Sequence, residues 1–211
     1  MSNFVITIGR QSGTGGREIG MKLAKKLGIK CYDKELITRA AKESGLAEEI
    51  IDTHDEKPNK SFLYSLVMDS YEMGFGAGYT DIPLSHKVFL AQLNAIKQIA
   101  DEESCVIVGR CADYALEGRE NLIRIFVTGE EECKITRLEG TYGLNTEDAK
   151  ALMKKKDKER SSYYNYYSNK EWGKADSYDL CISSTLLGVD GTVESLYVII
   201  KQYLGEKGIE I

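Results

Sequence analysis

FVITIGRQSGTGGREI, residues Phe4 to Ile19, runs from an apolar stretch through a glycine-rich loop into the start of a helix. Phe4, Val5, Ile6, Thr7 and Ile8 are β-branched or aromatic and lead straight into Gly9, the pattern of a buried parallel strand. Gly13, Gly15 and Gly16 follow. Residues without a Cβ let the backbone curl so that successive N–H groups point at one anion. From Arg17 the spacing of Ile19, Leu23 and Leu27 is helical, with Lys22, Lys25 and Lys26 on the other face. A helix N-terminus opening on the glycines adds a favourable dipole for an anion, phosphate above all.

Strand, glycine loop and helix are the three parts of a P-loop, but the side chains depart from its usual pattern. Laid on G-x-x-x-x-G-K-[ST], the stretch puts Arg10 at the first glycine, Gly16 at the lysine and Arg17 at the Ser/Thr. The cation that reaches the outer phosphates is therefore missing from its place. Arg17 is the nearest substitute, with Arg10 on the other flank. A glycine-rich turn without a ligand is the plainer reading of the glycines taken by themselves. The strand before them and the two flanking arginines favour phosphate.

The composition narrows the function. A chain of 211 residues, 42% hydrophobic, buries a full core as one domain with a lid or small insert. Its 33 acidic and 28 basic residues leave a net charge of −5, which argues against a nucleic-acid polymer or a membrane surface as partner. No run of about 18 apolar residues occurs and no signal-peptide core opens the sequence, so a cytoplasmic location is expected. Cys31, Cys105, Cys111, Cys133 and Cys181 are scattered and read as buried apolar fillers in a reducing compartment. His54 and His86 are isolated and read as surface or capping residues.

Along the chain, Gly28 ends the first helix and Ile29 to Tyr32 form a short strand. Asp33 sits where it can cap the next helix, from which Arg39 projects. Ser44 to Ile51 reads as a short helix capped by Ser44. Between Asp52 and Ser85 the pattern dissolves into glycines, prolines and aromatics, the mark of a substrate-side flap in which Tyr71, Phe75 and Tyr79 line a base or pack on the core. A helix over about Ser85 to Ala100 leads into an apolar strand, Cys105 to Val108, and then Gly109 and Arg110. Ligands of open parallel sheets gather beyond the carboxyl ends of strands, so Arg110 is expected at the same rim as the loop, as an unpaired phosphate clamp. Cys111 to Glu117 is a short helix, Leu122 to Val127 a strand, and Gly129 starts a helix carrying Arg137. Asn145 caps a long helix that holds Lys156, Asp157 and Arg160 and then a tyrosine-rich end. Its mixed charges make either a solvated face or a set of cations folded over a phosphate. Tyr178 to Ile182 forms a strand, and Val189 to Leu204 an amphipathic helix offering Val193, Leu196, Val198, Ile199 and Ile200 to the sheet. Strands alternating with helices give a three-layer, doubly wound α/β fold with a parallel sheet.

ITIGRQSGTGGREIG, then CYDKELI, VIVGRCADYAL, RIFVTGEEECKITRL, KKDKERSSYYNYY, Trp172 and YDLCISST, in that order, make nearly the whole chain similar to the cytidylate kinase-like family of P-loop nucleoside monophosphate kinases. The resemblance implies a single kinase domain, 1–211, with a monophosphate-binding insert over 33–85 and a lid over 137–172. It implies transfer of the ATP γ-phosphoryl group to CMP or dCMP with Mg²⁺. By the same resemblance, Ser12, Gly13, Thr14, Gly15, Gly16 and Arg17 form the ATP phosphate loop, and Asp33, Arg39, Arg110 and Asp157 bind the acceptor. Arg137, Lys156 and Arg160 belong to the lid, and Arg17, Arg110 and Arg160 neutralise charge in catalysis. Two positions depart from the family pattern: Lys156 replaces the arginine of an R-D-x-x-R segment, and Gly16 replaces the lysine of authentic cytidylate kinases. With Arg17 at the usual magnesium-ligand position, Ser12, Thr14, Glu18 and water stay open as metal ligands. A kinase for another small acceptor and a non-catalytic nucleotide-binding protein are the alternatives.

Overall fold

The computed structural model describes residues 3–33, 35–45, 47–56 and 84–209. Its frame is a sheet of five parallel strands in the order β2-β3-β1-β4-β5. These are β1 (Val5–Arg10), β2 (Lys30–Tyr32), β3 (Cys105–Val108), β4 (Leu122–Thr128) and β5 (Leu180–Ser183). The helices are α1 (Gly16–Leu27), α2 (Glu35–Ser44), α3 (Glu48–His54), α4 (Leu84–Glu102), α5 (Ala112–Ala115), α6 (Glu131–Tyr142), α7 (Thr146–Ser168) and α8 (Ser184–Glu206).

β1 is central because it is apolar on both faces, which only a strand covered by helices on both sides tolerates. The period-two alternation of a strand then sorts its residues. Ile6 and Ile8 join Ile19, Leu23, Leu196 and Ile200 in the core under α1 and α8. Val5 joins Leu36, Ile51, Ile96, Ile99 and Ile107 in the core under α2, α3 and α4. A third cluster, built on Phe89, Phe126, Tyr163, Tyr164 and Tyr178, pins the C-terminal end of α7 to the sheet. Within it Tyr167 stacks on Phe89 with ring centroids 3.8 Å apart.

Several local expectations change. β1 continues through Gly9 to Arg10, which pairs with Val127 of β4, so the strand delivers Arg10 to the rim of the cleft. Ser44 closes α2 instead of opening α3: its hydroxyl donates back to Ala40 O at 2.6 Å, and α3 starts after Ala47 without a side-chain cap. α8 begins at Ser184 and breaks at Gly188 (φ 67°), so the regular amphipathic part does start at Val189. Val193, Leu196 and Ile200 face the sheet, whereas Val198 and Ile199 are exposed, because three consecutive helical residues cannot share one face. Cys105 and Cys111 are buried, while Cys133 and Cys181 are exposed. The ring of His86 lies 6.2 Å from that of Phe89 and 6.1 Å from that of Tyr167. Tyr71, Phe75, Tyr79 and the side chain of His54 lie outside the described residues.

Candidate active site

The loop between β1 and α1 is held in shape from below. Gly13 (φ 80°) and Gly15 (φ 73°) occupy the left-handed region that favours glycine. A Cβ on Gly13 would also stand 2.5 Å from the carbonyl oxygen of Lys134. The Thr14 hydroxyl donates to Gln11 O at 2.8 Å and accepts from the Gly16 N–H at 3.3 Å. Ser184, at the start of α8, donates its hydroxyl to Thr14 O at 2.8 Å. The side-chain oxygen of Gln11 accepts from Lys134 Nζ at 2.9 Å and from Thr128 Oγ1 at 2.8 Å. Three elements thus fix the loop, and α1 opens at Gly15 without a side-chain cap. An uncapped helix start over left-handed glycines is an anion site in waiting.

A cleft of about 950 Å³ opens over this loop. Gly13, Gly15, Gly16, Arg17 and Arg137 line one part of it, and Asp33, Asp55, Glu56 and Arg110 another. Lys156 and Arg160 of α7 line it as well. Arg110 follows Gly109 at the end of β3, and its buried guanidinium forks onto Asp55, with Nε–Oδ1 at 2.8 Å and Nη2–Oδ2 at 2.7 Å. Its Nη1 donates to Asp33 at 3.0 Å. Asp33 also takes Arg17 Nε at 2.7 Å, so one carboxylate joins the loop arginine to the β3 arginine. The sequence predicts an unpaired Arg110 at the rim; the two acids correct that reading, since a buried guanidinium is stable only when paired.

Glu56 gathers a second group. It accepts from both terminal nitrogens of Arg10, at 2.7 and 2.9 Å, and from the backbone N–H of Arg110 at 2.9 Å. Arg160 Nε lies 3.4 Å away. Burial pushes the Glu56 carboxyl up, but Arg10, Arg160 and Arg110 together hold it well below the usual glutamate range. Asp55, beside it, is pushed up by burial against the pull of Arg110. Burial and the neighbouring Arg10 depress Arg160, the signature of positive charge crowded in a dry site.

Asp157, Lys156 and Arg137 go to different partners. Asp157 Oδ1 accepts from the Ser12 N–H at 2.6 Å, so this acid rests on the glycine loop itself. Burial raises its pKa against that hydrogen bond and the pull of Arg160. Lys156 is half exposed and pairs with Glu159 at 3.5 Å on its own helix. Arg137, on α6, pairs with Glu18 of α1, which also takes Lys22 at 2.8 Å. The structure does not bring Arg39 into the cleft: it forks onto Glu102, near the amino end of β3 and therefore at the far end of the sheet.

Sequence reasoning passed over Asp55 and Glu56, which close α3 just where the helical pattern dissolves. The adjacent acids were the available signal, with Arg10 and Arg110 placed at strand ends to receive them. The Gln11–Lys134–Thr128 bracket had no signal, because its members come from three separate elements.

The oxygen-only donor set of the cleft suits Mg²⁺ in chemical type. Among the described residues no three His, Cys, Asp or Glu side chains gather as a metal site. Thr14 is engaged within the loop, Glu18 with Lys22 and Arg137, and Asp33 with Arg17 and Arg110, leaving Ser12 as the nearby oxygen donor on the loop. Among the described residues no helix is long and apolar enough to cross a membrane.

An uncharacterized protein from Eubacterium ventriosum ATCC 27560 is similar over 94% of this chain and 99% of its own, at 29% identity and a TM-score of 0.70. Shikimate kinase from Bacteroides thetaiotaomicron is similar in fold over 96% of this chain and 98% of its own, at 13% identity and a TM-score of 0.51. No curated protein matches the chain. The profile of the cytidylate kinase-like family matches residues 5–186, from the first residue of β1 to the start of α8. With that match over the sheet, the loop and the cleft, the chain belongs to the cytidylate kinase-like family.

Proposed function

We propose that this chain is an ATP-dependent kinase that passes the γ-phosphoryl group to a small phosphorylated acceptor, with CMP or dCMP the first candidates. The observation that carries the reading is one cleft with a preformed phosphate loop in one part and the Arg17–Asp33–Arg110 chain in another. Phosphoryl transfer needs little covalent chemistry from a protein. Two phosphorylated substrates must be held in line, and cations must meet the charge that develops between them.

In this reading the backbone of Ser12 to Arg17 holds the donor phosphates, and Arg110 and Asp33 face the acceptor. The N-terminal half of α7 swings as a lid while its tyrosines stay on the sheet, with 137–172 as the lid region and 33–85 as the acceptor-side insert. Mg²⁺ carried on the triphosphate would be held on the protein side by the Ser12 hydroxyl together with water, supplying charge neutralisation when bound. The acceptor screen is an ADP-release assay with ATP across CMP, dCMP, UMP, AMP, GMP and small hydroxylated metabolites. ADP release that depends on CMP or dCMP above the others is expected. A different preferred acceptor would overturn the cytidylate assignment, and no turnover with any of them would overturn the kinase.

A further inference from the structure

The two departures from the P-loop pattern, Arg10 for the first glycine and Gly16 for the lysine, touch each other. A Cβ on Gly16 would stand 2.6 Å from Arg10 Cβ and 3.0 Å from its Cγ. These atoms sit at the root of the arginine side chain, so no rotation of its far end relieves the overlap. A side chain at position 16, lysine included, therefore overlaps the Cβ of the residue at position 10, and fits without a backbone shift only when position 10 is glycine. From there the Arg10 side chain runs to its partly buried end-on pair with Glu56, past Gly109, where a Cβ would collide with Arg10 Nη1 and Glu56 Oε1. Two glycines thus clear the path of one arginine.

We propose that Arg10 and Gly16 are an exchanged pair: the cation normally carried at position 16 has moved to position 10, from which Arg10 serves the phosphates of a nucleotide on the loop. The inference rests on the kinase reading. Arg10 lines the cleft beside Gly13, Gly15 and Gly16. Its end-on contact with Glu56 takes two of the five N–H donors of a guanidinium, and among the described residues the other three have no protein acceptor. Arg137 also stands over the loop, its guanidinium carbon 3.0 Å from where a Cβ on Gly15 would lie, but it is paired with Glu18 of α1. Arg17 is 55% exposed and reaches across to Asp33, and Lys134 is turned onto Gln11 outside the cleft lining.

The test has two arms. In the first, thermal unfolding without nucleotide is compared for wild type, Gly16→Ala, Arg10→Gly and the double variant. Gly16→Ala is expected to lower Tm by about 2–8 °C when Arg10 is present and to have no such effect in the Arg10→Gly background. Additive effects would overturn the steric exchange.

In the second arm, calorimetry measures ATP binding to wild type, Arg10→Gly, Arg17→Gly, Gly16→Lys and Arg10→Gly/Gly16→Lys. Arg10→Gly is expected to weaken ATP by about tenfold or more, and Arg17→Gly by much less. The exchanged variant, with lysine restored at 16, is expected to recover wild-type affinity to within about threefold. Lysine at 16 does not restore the Arg10–Glu56 pair, so recovery separates a phosphate-binding role from a structural one. Arg10→Lys serves as a folded control should the glycine variant unfold, and full loss of ATP binding in it despite a native Tm would speak against charge as the cause. ATP binding insensitive to Arg10, or no recovery in the exchanged variant, would overturn the inference and leave the kinase standing. No ATP binding by wild type would overturn both.

Discussion

Arg110 stands in a turn that few side chains tolerate. Gly109, Arg110 and Cys111 have φ of 78°, 56° and 52°, three successive residues in the left-handed region. A non-glycine residue there costs about 1 kcal/mol or more, and such strain collects where a site needs a particular direction of the chain. Here the turn folds the Arg110 side chain back under β3, so that Nη1 reaches Val108 O at 3.2 Å while the rest of the fork meets Asp55 and Asp33. Lysine in its place keeps the charge but not the planar fork. Arg110→Lys is expected to lower stability by about 1–3 kcal/mol in urea unfolding, because a lysine in that buried place cannot pair with both Asp55 and Asp33. In steady-state kinetics it should raise KM for the nucleoside monophosphate much more than KM for ATP. A larger change for ATP would place Arg110 on the donor side instead.

At the scale of elements, α7 packs on α6 at its start and on the sheet at its tyrosine-rich end, and passes over the glycine loop between. Asn145 caps it, accepting from the Asp148 N–H at 2.8 Å, and the Tyr164 hydroxyl holds its far end by donating to buried Asp113 at 2.6 Å. Between them Asp157 occupies the Ser12 N–H, a donor that a phosphate on the loop would use. Removing that carboxylate frees the donor and takes a negative charge away from the anion site. Asp157→Ala is therefore expected to tighten ATP binding in the absence of acceptor by about fivefold or more, read by calorimetry. If Asp157 contributed only to acceptor recognition, ATP affinity would stay at the wild-type value.

The cap of α7 was legible in the sequence because capping is local, a matter of Asn145 and the residue three places on. The start of α3 was not, because Ala47 carries no capping side chain and Ser44 is a hydroxyl in the last turn of another helix. The strands and their order of appearance were legible from apolar runs bounded by glycine. The pairing of Arg110 with Asp55, and of Arg10 with Glu56, was not: each joins residues more than 40 positions apart, and no local pattern encodes which arginine meets which acid.

For the whole molecule, Glu56 is the point where distant segments meet. It lies at the end of the α2–α3 segment and holds β1 through Arg10, the β3 turn through the Arg110 N–H, and α7 through Arg160. The fold therefore depends on that carboxylate staying ionised. Its folded pKa lies below the ordinary value of 4.5, so its contribution is fully present above pH 4.5 and is lost as pH falls toward the depressed value. Asp55, raised above 3.8, works in the opposite sense, since its folded form takes up a proton before the unfolded chain does. Comparing wild type with Glu56→Gln isolates the first effect. At pH 7 the variant is expected to be less stable by about 3 kcal/mol, the usual cost of leaving buried charges without a partner. Below pH 4.5 the gap should close by up to about 1.4 kcal/mol per pH unit, because the unfolded wild type takes up a proton at Glu56 that its folded form does not, and the variant has no such proton to take up. Urea unfolding of both proteins from pH 7 to pH 3 checks this. A gap that stays constant to pH 3 would mean that the Glu56 charge does not hold the four segments together.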